Sequence, residues 1–244
     1  MKLPFLRIYT SKTHYWMQFT VLFLLTMAAQ SCQLLYQYLS SQGSASFNVF
    51  ATVLFLSGLT IPAILLGLKL GKPLNLGVLN DTARLSDGLK FAMVGAVLLA
   101  SSLLALRWLL TPYLPAELPE YGFRGPLGGL LVSFGAAVGE EIWFRLGLMT
   151  LLLYLCSKTL ATAPLSNKVA VSVIVLVAFS FGVAHLPYLN ASGAADSAAI
   201  WATIIGNMGV SGLYGWCYWR YGLLSAIFAH FTVDIVLYML PAFF

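Results

Sequence analysis

The chain has 244 residues, of which 60% are hydrophobic and 9% charged, and its mean hydropathy is +0.87. A water-soluble globule carries roughly 25% charged residues, so this composition excludes one, together with a disordered chain and a conventional nucleic-acid binder. The formal charge of +5, from 13 Lys/Arg against 8 Asp/Glu, reflects scarce acids more than abundant bases. In an integral membrane protein such a surplus marks cytoplasmic loops.

At ~20 residues per crossing, the apolar runs predict spans at 15–39, 47–68, 89–110, 127–156, 168–187, 198–219 and 222–241. The expected fold is all-α: a polytopic transmembrane helical bundle of about seven to eight spans, one membrane domain over 1–244, with its site between helices. The first run follows Lys2, Arg7 and Lys12. It is longer than the roughly 7–15-residue core of a cleavable signal and reads as an uncleaved anchor. The fourth run is too long for a ~30 Å hydrocarbon core at ~1.5 Å per residue, so it must tilt, protrude or break, with Gly135, Gly139 and Gly147 as weak points. Cys32, Cys156 and Cys217 are odd in number, far apart and inside apolar runs. They read as small packing residues, neither a disulfide framework nor a CxxC metal site.

With seven spans, the N-terminus, the 69–88 loop (Lys69, Lys72, Arg84), the 157–168 loop (Lys158, Lys168) and Arg220 share one side. The basic bias makes that side cytoplasmic. The opposite loops carry little: 40–46 is uncharged, 111–125 has Glu117 and Glu120 beside Arg124, and 188–197 has only Asp196. Arg107, near a span end, is expected to snorkel to the headgroups. Asn207, among Gly206, Gly209, Ser211 and Gly212, fits close small-residue helix packing with one polar contact.

Few ionisable residues remain inside the spans: Glu140, Glu141, Arg145, His185, His230 and Asp234, all in the fourth, fifth and seventh. Such groups are costly in a bilayer and face a protein interior or a wet cavity, so they are functional candidates. Glu141 and Arg145 are i,i+4 with the acid first, the order that favours an intrahelical ion pair. Adjacent helical residues point about 100° apart, so Glu140 is left to turn toward a cavity, where a carboxyl suits general acid/base work. Phe181 and His185 are also i,i+4, as are His230 and Asp234. The bland alternatives are a Glu–Arg pair that only sets packing and histidines that only satisfy interhelical hydrogen bonds. Three acids and two histidines in three spans of so uncharged a chain weigh against them.

Glu140-Glu141-x-x-x-Arg145, Phe181-x-x-x-His185 and His230-x-x-x-Asp234, in this order on separate spans, resemble the three motifs of the type II CAAX prenyl endopeptidase and bacteriocin-processing family, the Abi or CPBP intramembrane proteases. The resemblance covers about 126–240, including Gly212-Leu213-Tyr214 and Tyr221-Gly222-Leu223-Leu224-Ser225. Two departures stand out: Leu146 separates the motif arginine from Gly147, and Asp234 occupies a position where the family commonly has Asn. The resemblance implies a glutamic endopeptidase without a cofactor, acting on a membrane-associated or lipid-modified peptide or protein. Glu140 would activate water with help from His185, His230 and Asp234 would stabilise the oxyanion, and Glu141, Arg145 and Phe181 would support them. An ionised Asp234 cannot donate to an oxyanion; it must be protonated to do so, or else orient His230.

The motifs leave alternatives open. Glu140, His185 and His230 could supply mixed ligands to a catalytic zinc. Intramembrane Glu/His relays also serve proton-coupled transporters, though these often show repeated halves. A non-catalytic partner or immunity protein could keep the same motifs. The expected partners are the lipid bilayer and a peptide substrate, with no nucleic acid, and the expected setting is a prokaryotic plasma membrane with the N-terminus cytoplasmic. Because His185 lies near the outer end of its span, the cavity is expected to open to the extracytoplasmic face.

Overall fold

The computed structural model describes residues 12–40, 49–80, 84–161 and 164–244. Lys2, Arg7 and the 41–46 part of the uncharged loop therefore lie outside the described residues. In chain order the helices are α1 (Lys12–Ser40), α2 (Val49–Gly71), α3 (Leu85–Leu110), α4 (Gly125–Glu141), α5 (Thr150–Thr159), α6 (Asn167–Ala184), α7 (Leu186–Ala191), α8 (Ser197–Tyr221) and α9 (Leu223–Asp234). A π-helical segment, Ile142–Met149, joins α4 to α5 without a break, and a second, Ile235–Met239, extends α9. Among the described residues there is no strand.

Six of these rods are long and apolar enough to cross a membrane: Thr13–Ser40, Phe50–Leu74, Leu85–Tyr113, Gly125–Thr159, Asn167–Ala191 and Leu223–Phe243. α8 is a seventh rod of 25 residues. Its Asn207, glycines and hydroxylated aromatics lower its apolarity, yet it joins the end that holds α7 to the end that holds Arg220. The protein is thus an integral membrane helical bundle. Its outward surface is apolar, with Leu54, Leu98 and Ile205 each more than 60% exposed, as a bilayer in place of water requires.

The ends are set by local chemistry. Ser166 caps α6 by accepting from the Val169 N–H, and Asp196 caps α8 by accepting from Ala199 at 2.7 Å. Side-chain acceptors there satisfy amides that have no helical partner. Between α8 and α9 the chain turns at Gly222, φ 100°, where an added Cβ would lie 2.8 Å from Leu79 Cα. The loop after α2 fills this turn: the Leu223 and Leu224 N–H groups donate to the carbonyls of Gly77 and Val78 at 2.9 and 3.1 Å. The first amides of α9 are therefore satisfied by a segment about 145 positions earlier in the chain.

Packing relies on small residues. The buried face of α3 is Gly88, Ala92, Ala96 and Ala100, spaced by four, a pattern that lets helix backbones approach closely where lipid supplies no hydrophobic drive. Gly67 of α2 and Gly147 of the π segment do the same across that contact, against Leu146 and Ala63 respectively. Leu146, the departure after the motif arginine, is fully buried there. Gly135 and Gly139, expected as weak points, lie in regular helix and admit Gln33 and Gln30 of α1.

Two other expectations are corrected. An added Cβ at Gly206, Gly209 or Gly212 would meet nothing within 4 Å, so this stretch is not a close-packed seam, and Asn207 bonds within its own helix, to the Thr203 carbonyl at 2.9 Å. The three glycines leave open space beside α8 while Ser211 faces inward, a division that composition alone does not reveal. Arg107 donates to the Leu118 carbonyl at 3.1 Å. It ties down the 111–124 loop instead of only reaching for headgroups.

Candidate active site

α4 and α9 bring their motif residues face to face, with α6 and α8 closing the sides. Glu141, on the last turn of α4, is fully buried and holds Arg145 Nε at 3.1 Å. Arg145 is equally buried, and its Nη2 donates to Ser211 Oγ at 2.7 Å and to the Ser211 carbonyl at 3.1 Å. Its guanidinium lies over the rings of Phe181 and Tyr214, 5.0 and 5.5 Å from their centroids. A buried charge needs such pairing. The α-to-π transition begins at Ile142, inside the Glu141–Arg145 spacing, and Thr150 donates its hydroxyl to the Arg145 carbonyl five residues back. π segments of this kind occur often at functional sites.

His230 is the hub. Its Nδ1 lies 2.9 Å from Glu141 Oε1; a carboxylate only accepts, so Nδ1 carries the proton. Nε2 faces Asp234 Oδ2 at 3.6 Å and Glu140 Oε2 at 4.0 Å. The Tyr214 ring stacks on the imidazole at 4.4 Å and 12°, and Phe181 meets it edge-on at 5.9 Å. Three carboxylates thus surround one imidazole: Glu141 fixes one nitrogen, and Glu140 and Asp234 address the other.

Glu140 differs from its neighbour. Its side chain keeps 21% exposure, and Oε2 makes no hydrogen bond among the described residues. His185, half-buried at the end of α6, donates from Nδ1 to the Phe181 carbonyl at 2.8 Å, with its ring 4.7 Å from the Phe181 ring. That bond leaves Nε2 as the basic nitrogen of a neutral ring. Phe181 therefore touches both histidines. The five expected residues of α4, its π extension and α9 converge directly or through one partner, while His185 flanks them across Phe181. Among the described residues no group of three or more His, Cys, Asp or Glu side chains is gathered where it could hold a metal ion.

Tyr214 and Ser211 were missed as site residues in the sequence. Tyr214 is fully buried, with a hydroxyl that lacks a partner among the described residues. Ser211 sits three residues before it, so the i,i+3 pair faces Arg145 and His230 from one side of α8. The signal was present in the Gly212-Leu213-Tyr214 stretch but had no ionisable residue to mark it. Just before α4, Arg124 Nη2 donates to the Tyr188 hydroxyl at 3.3 Å, and Arg124 Cζ lies 5.4 Å from the Tyr238 ring centroid. Tyr121 meets Tyr238 edge-on. Outside the spans, burial raises the Tyr121 hydroxyl above its ordinary pKa, so it stays protonated.

No curated protein and no solved structure matches the chain. Residues 122–236 match the model of the family described as type II CAAX prenyl endopeptidase Rce1-like, and the matched segment includes Glu140, Glu141, Arg145, Phe181, His185, Ser211, Tyr214, His230 and Asp234. Over these residues the chain carries the domain of the Rce1-like family of type II CAAX prenyl endopeptidases.

Proposed function

We propose that this protein hydrolyses a peptide bond in a membrane-associated or lipid-modified protein or peptide, with Glu140 activating the water. The observation that carries this reading is Glu140: its side chain keeps partial exposure, and its Oε2 has no hydrogen bond among the described residues and lies 4.0 Å from His230 Nε2. A water placed between a carboxylate and an imidazole can lose its proton to the carboxylate while its oxygen attacks the carbonyl carbon. His185, with Nε2 basic, would share that proton and return it to the leaving amine. His230, protonated on both nitrogens and held by Glu141, would point Nε2–H at the carbonyl oxygen as negative charge develops there. Asp234, beside the same nitrogen, would orient the ring and offset its charge.

The basic loops at 69–88 and 157–168 and Arg220 meet at one end of the bundle, and we place that end in the cytoplasm of a prokaryotic cell. The site mouth at Arg124, His185 and Tyr188 then opens to the opposite face, toward exported or anchored substrates. The single domain would need no cofactor.

The test is cleavage of membrane-anchored peptides by the reconstituted protein, wild type against Glu140→Gln, with and without chelator. Wild-type cleavage that survives chelation and is lost in Glu140→Gln is the expected result. Cleavage unaffected by Glu140→Gln sinks the glutamate mechanism, and loss on chelation restored by zinc replaces it with a metal one. Proton-coupled uptake without proteolysis would make the protein a transporter.

A further inference from the structure

The basic end holds a cavity of about 700 Å³, lined in part by Asn80, Arg84, Asp87, Trp219, Arg220 and Tyr221. It is separate from the peptidase site: Arg220 and Tyr221 end α8, and His230 lies about 12 Å further along α9. The proteolytic mechanism uses none of its residues.

Three features define what the cavity takes. Arg84 and Arg220 are exposed guanidiniums on its wall, and Lys72, Lys158 and Lys168 lie at the same end, against Asp87 as the one acid there among the described residues. Guanidinium forks match phosphate oxygens. Asn80 is 3% exposed and donates its Nδ2 to the carbonyls of Tyr218 and Trp219 at 3.3 and 3.0 Å, which leaves Oδ1 buried without a hydrogen-bond partner. That acceptor is held in place on a residue of the cavity wall, where a ligand that brings a donor would satisfy it. Tyr221 meets the ring of Phe91 at 5.6 Å, and Phe91 is 39% exposed on the lipid-facing side of α3. Tyr221 thus links the cavity wall to a residue on the lipid-facing side, and Trp219 and Tyr221 are residue types found at the membrane interface.

We propose that this cavity binds the headgroup of an anionic glycerophospholipid with a hydroxylated head, such as phosphatidylglycerol. The phosphodiester lies between Arg84 and Arg220, and the glycerol hydroxyls donate to Asn80 Oδ1 and the Asp87 carboxylate. A choline head has no donor for Asn80. Because Asn80 also closes the ends of α8 and α9, an occupied cavity braces the turn at Gly222 that leads into the His230 helix.

The experiment is native mass spectrometry of the full-length, delipidated protein in non-ionic detergent. It is titrated with phosphatidylglycerol, with phosphatidylmethanol (the same charge without hydroxyls), with phosphatidylcholine and with soluble glycerol phosphate. The expected order is phosphatidylglycerol, phosphatidylmethanol, phosphatidylcholine. Arg84→Gln and Arg220→Gln each weaken phosphatidylglycerol by about fivefold and leave phosphatidylcholine unchanged. Equal binding of phosphatidylglycerol and phosphatidylmethanol by the wild type overturns the role of Asn80. Undiminished phosphatidylglycerol preference in the double variant overturns the site, and competition by glycerol phosphate at lipid concentrations assigns it to a free phosphate ester. Should the double variant fail to fold, the wild-type comparison of the two anionic lipids decides the matter alone.

Discussion

The two sides of the His230 ring are built on opposite terms. Toward Nδ1, Glu141, Arg145 and Ser211 are sealed from solvent and paired with one another. Toward Nε2, Glu140 and Asp234 stand at 4.0 and 3.6 Å, and Glu140 keeps 21% exposure with no hydrogen bond at Oε2 among the described residues. Two adjacent glutamates thus have opposite environments, because consecutive helical side chains diverge by about 100°. A carboxylate that is fully buried, hydrogen-bonded at one oxygen and ion-paired at the other is committed to holding a geometry. One that is partly wet and unbonded is available to take a proton.

The sharpest way to break this contrast is Glu140→Gln. Loss of a general base lowers peptide cleavage by about 10²–10⁴-fold, while thermal unfolding stays close to wild type because nothing is bonded to Oε2. A variant that cleaves normally would remove Glu140 from the chemistry. Next comes Arg145→Met, which strands Glu141 and destabilises the fold by roughly 3–5 kcal/mol, measurable by detergent-phase unfolding. The double change Glu141→Leu with Arg145→Met should recover much of that loss yet remain inactive, since His230 has no acceptor at Nδ1; an active double variant would show that the closed side is dispensable. Gly222→Ala tests the turn that positions α9: its positive φ and the 2.8 Å approach to Leu79 Cα predict a loss of about 1–3 kcal/mol. Wild-type stability there would mean that the 77–80 loop yields easily. The smallest effect is expected for Tyr214→Phe, which keeps the stack on His230 and removes a hydroxyl without a partner, changing stability by less than about 1 kcal/mol. A large loss of cleavage with stability intact would instead assign that hydroxyl to the substrate.

How far the residues alone revealed this arrangement varied with the kind of signal. The intrahelical pairs Glu141–Arg145 and His230–Asp234 were legible, since i,i+4 spacing brings side chains together whatever surrounds the helix. The spans were legible through their apolar length, and α8 was counted despite its polar residues. The stacking of Tyr214 was not legible, because an aromatic residue in an apolar span has no mark that separates a lipid-facing ring from a site wall. The glycines of α8 misled for the same reason: small residues permit close packing, but only the rotation of the helix decides whether a neighbour is there. On α3 the opposite occurred, and the four-residue spacing of Gly88, Ala92, Ala96 and Ala100 was a readable seam that went unused.

Sequence by itself determined that this chain lives in a membrane, that its scarce charges lie on three spans, and which of them are neighbours within a helix, since these follow from hydropathy and from a 3.6-residue period. Only the tertiary structure decided that Glu141, not Glu140, bonds His230, that His185 reaches the site across Phe181, and that the loop after α2 closes the turn before α9. Those outcomes depend on helix rotation and on contacts across more than a hundred positions. Any one such contact is a small energy, selected by the packing of the whole bundle.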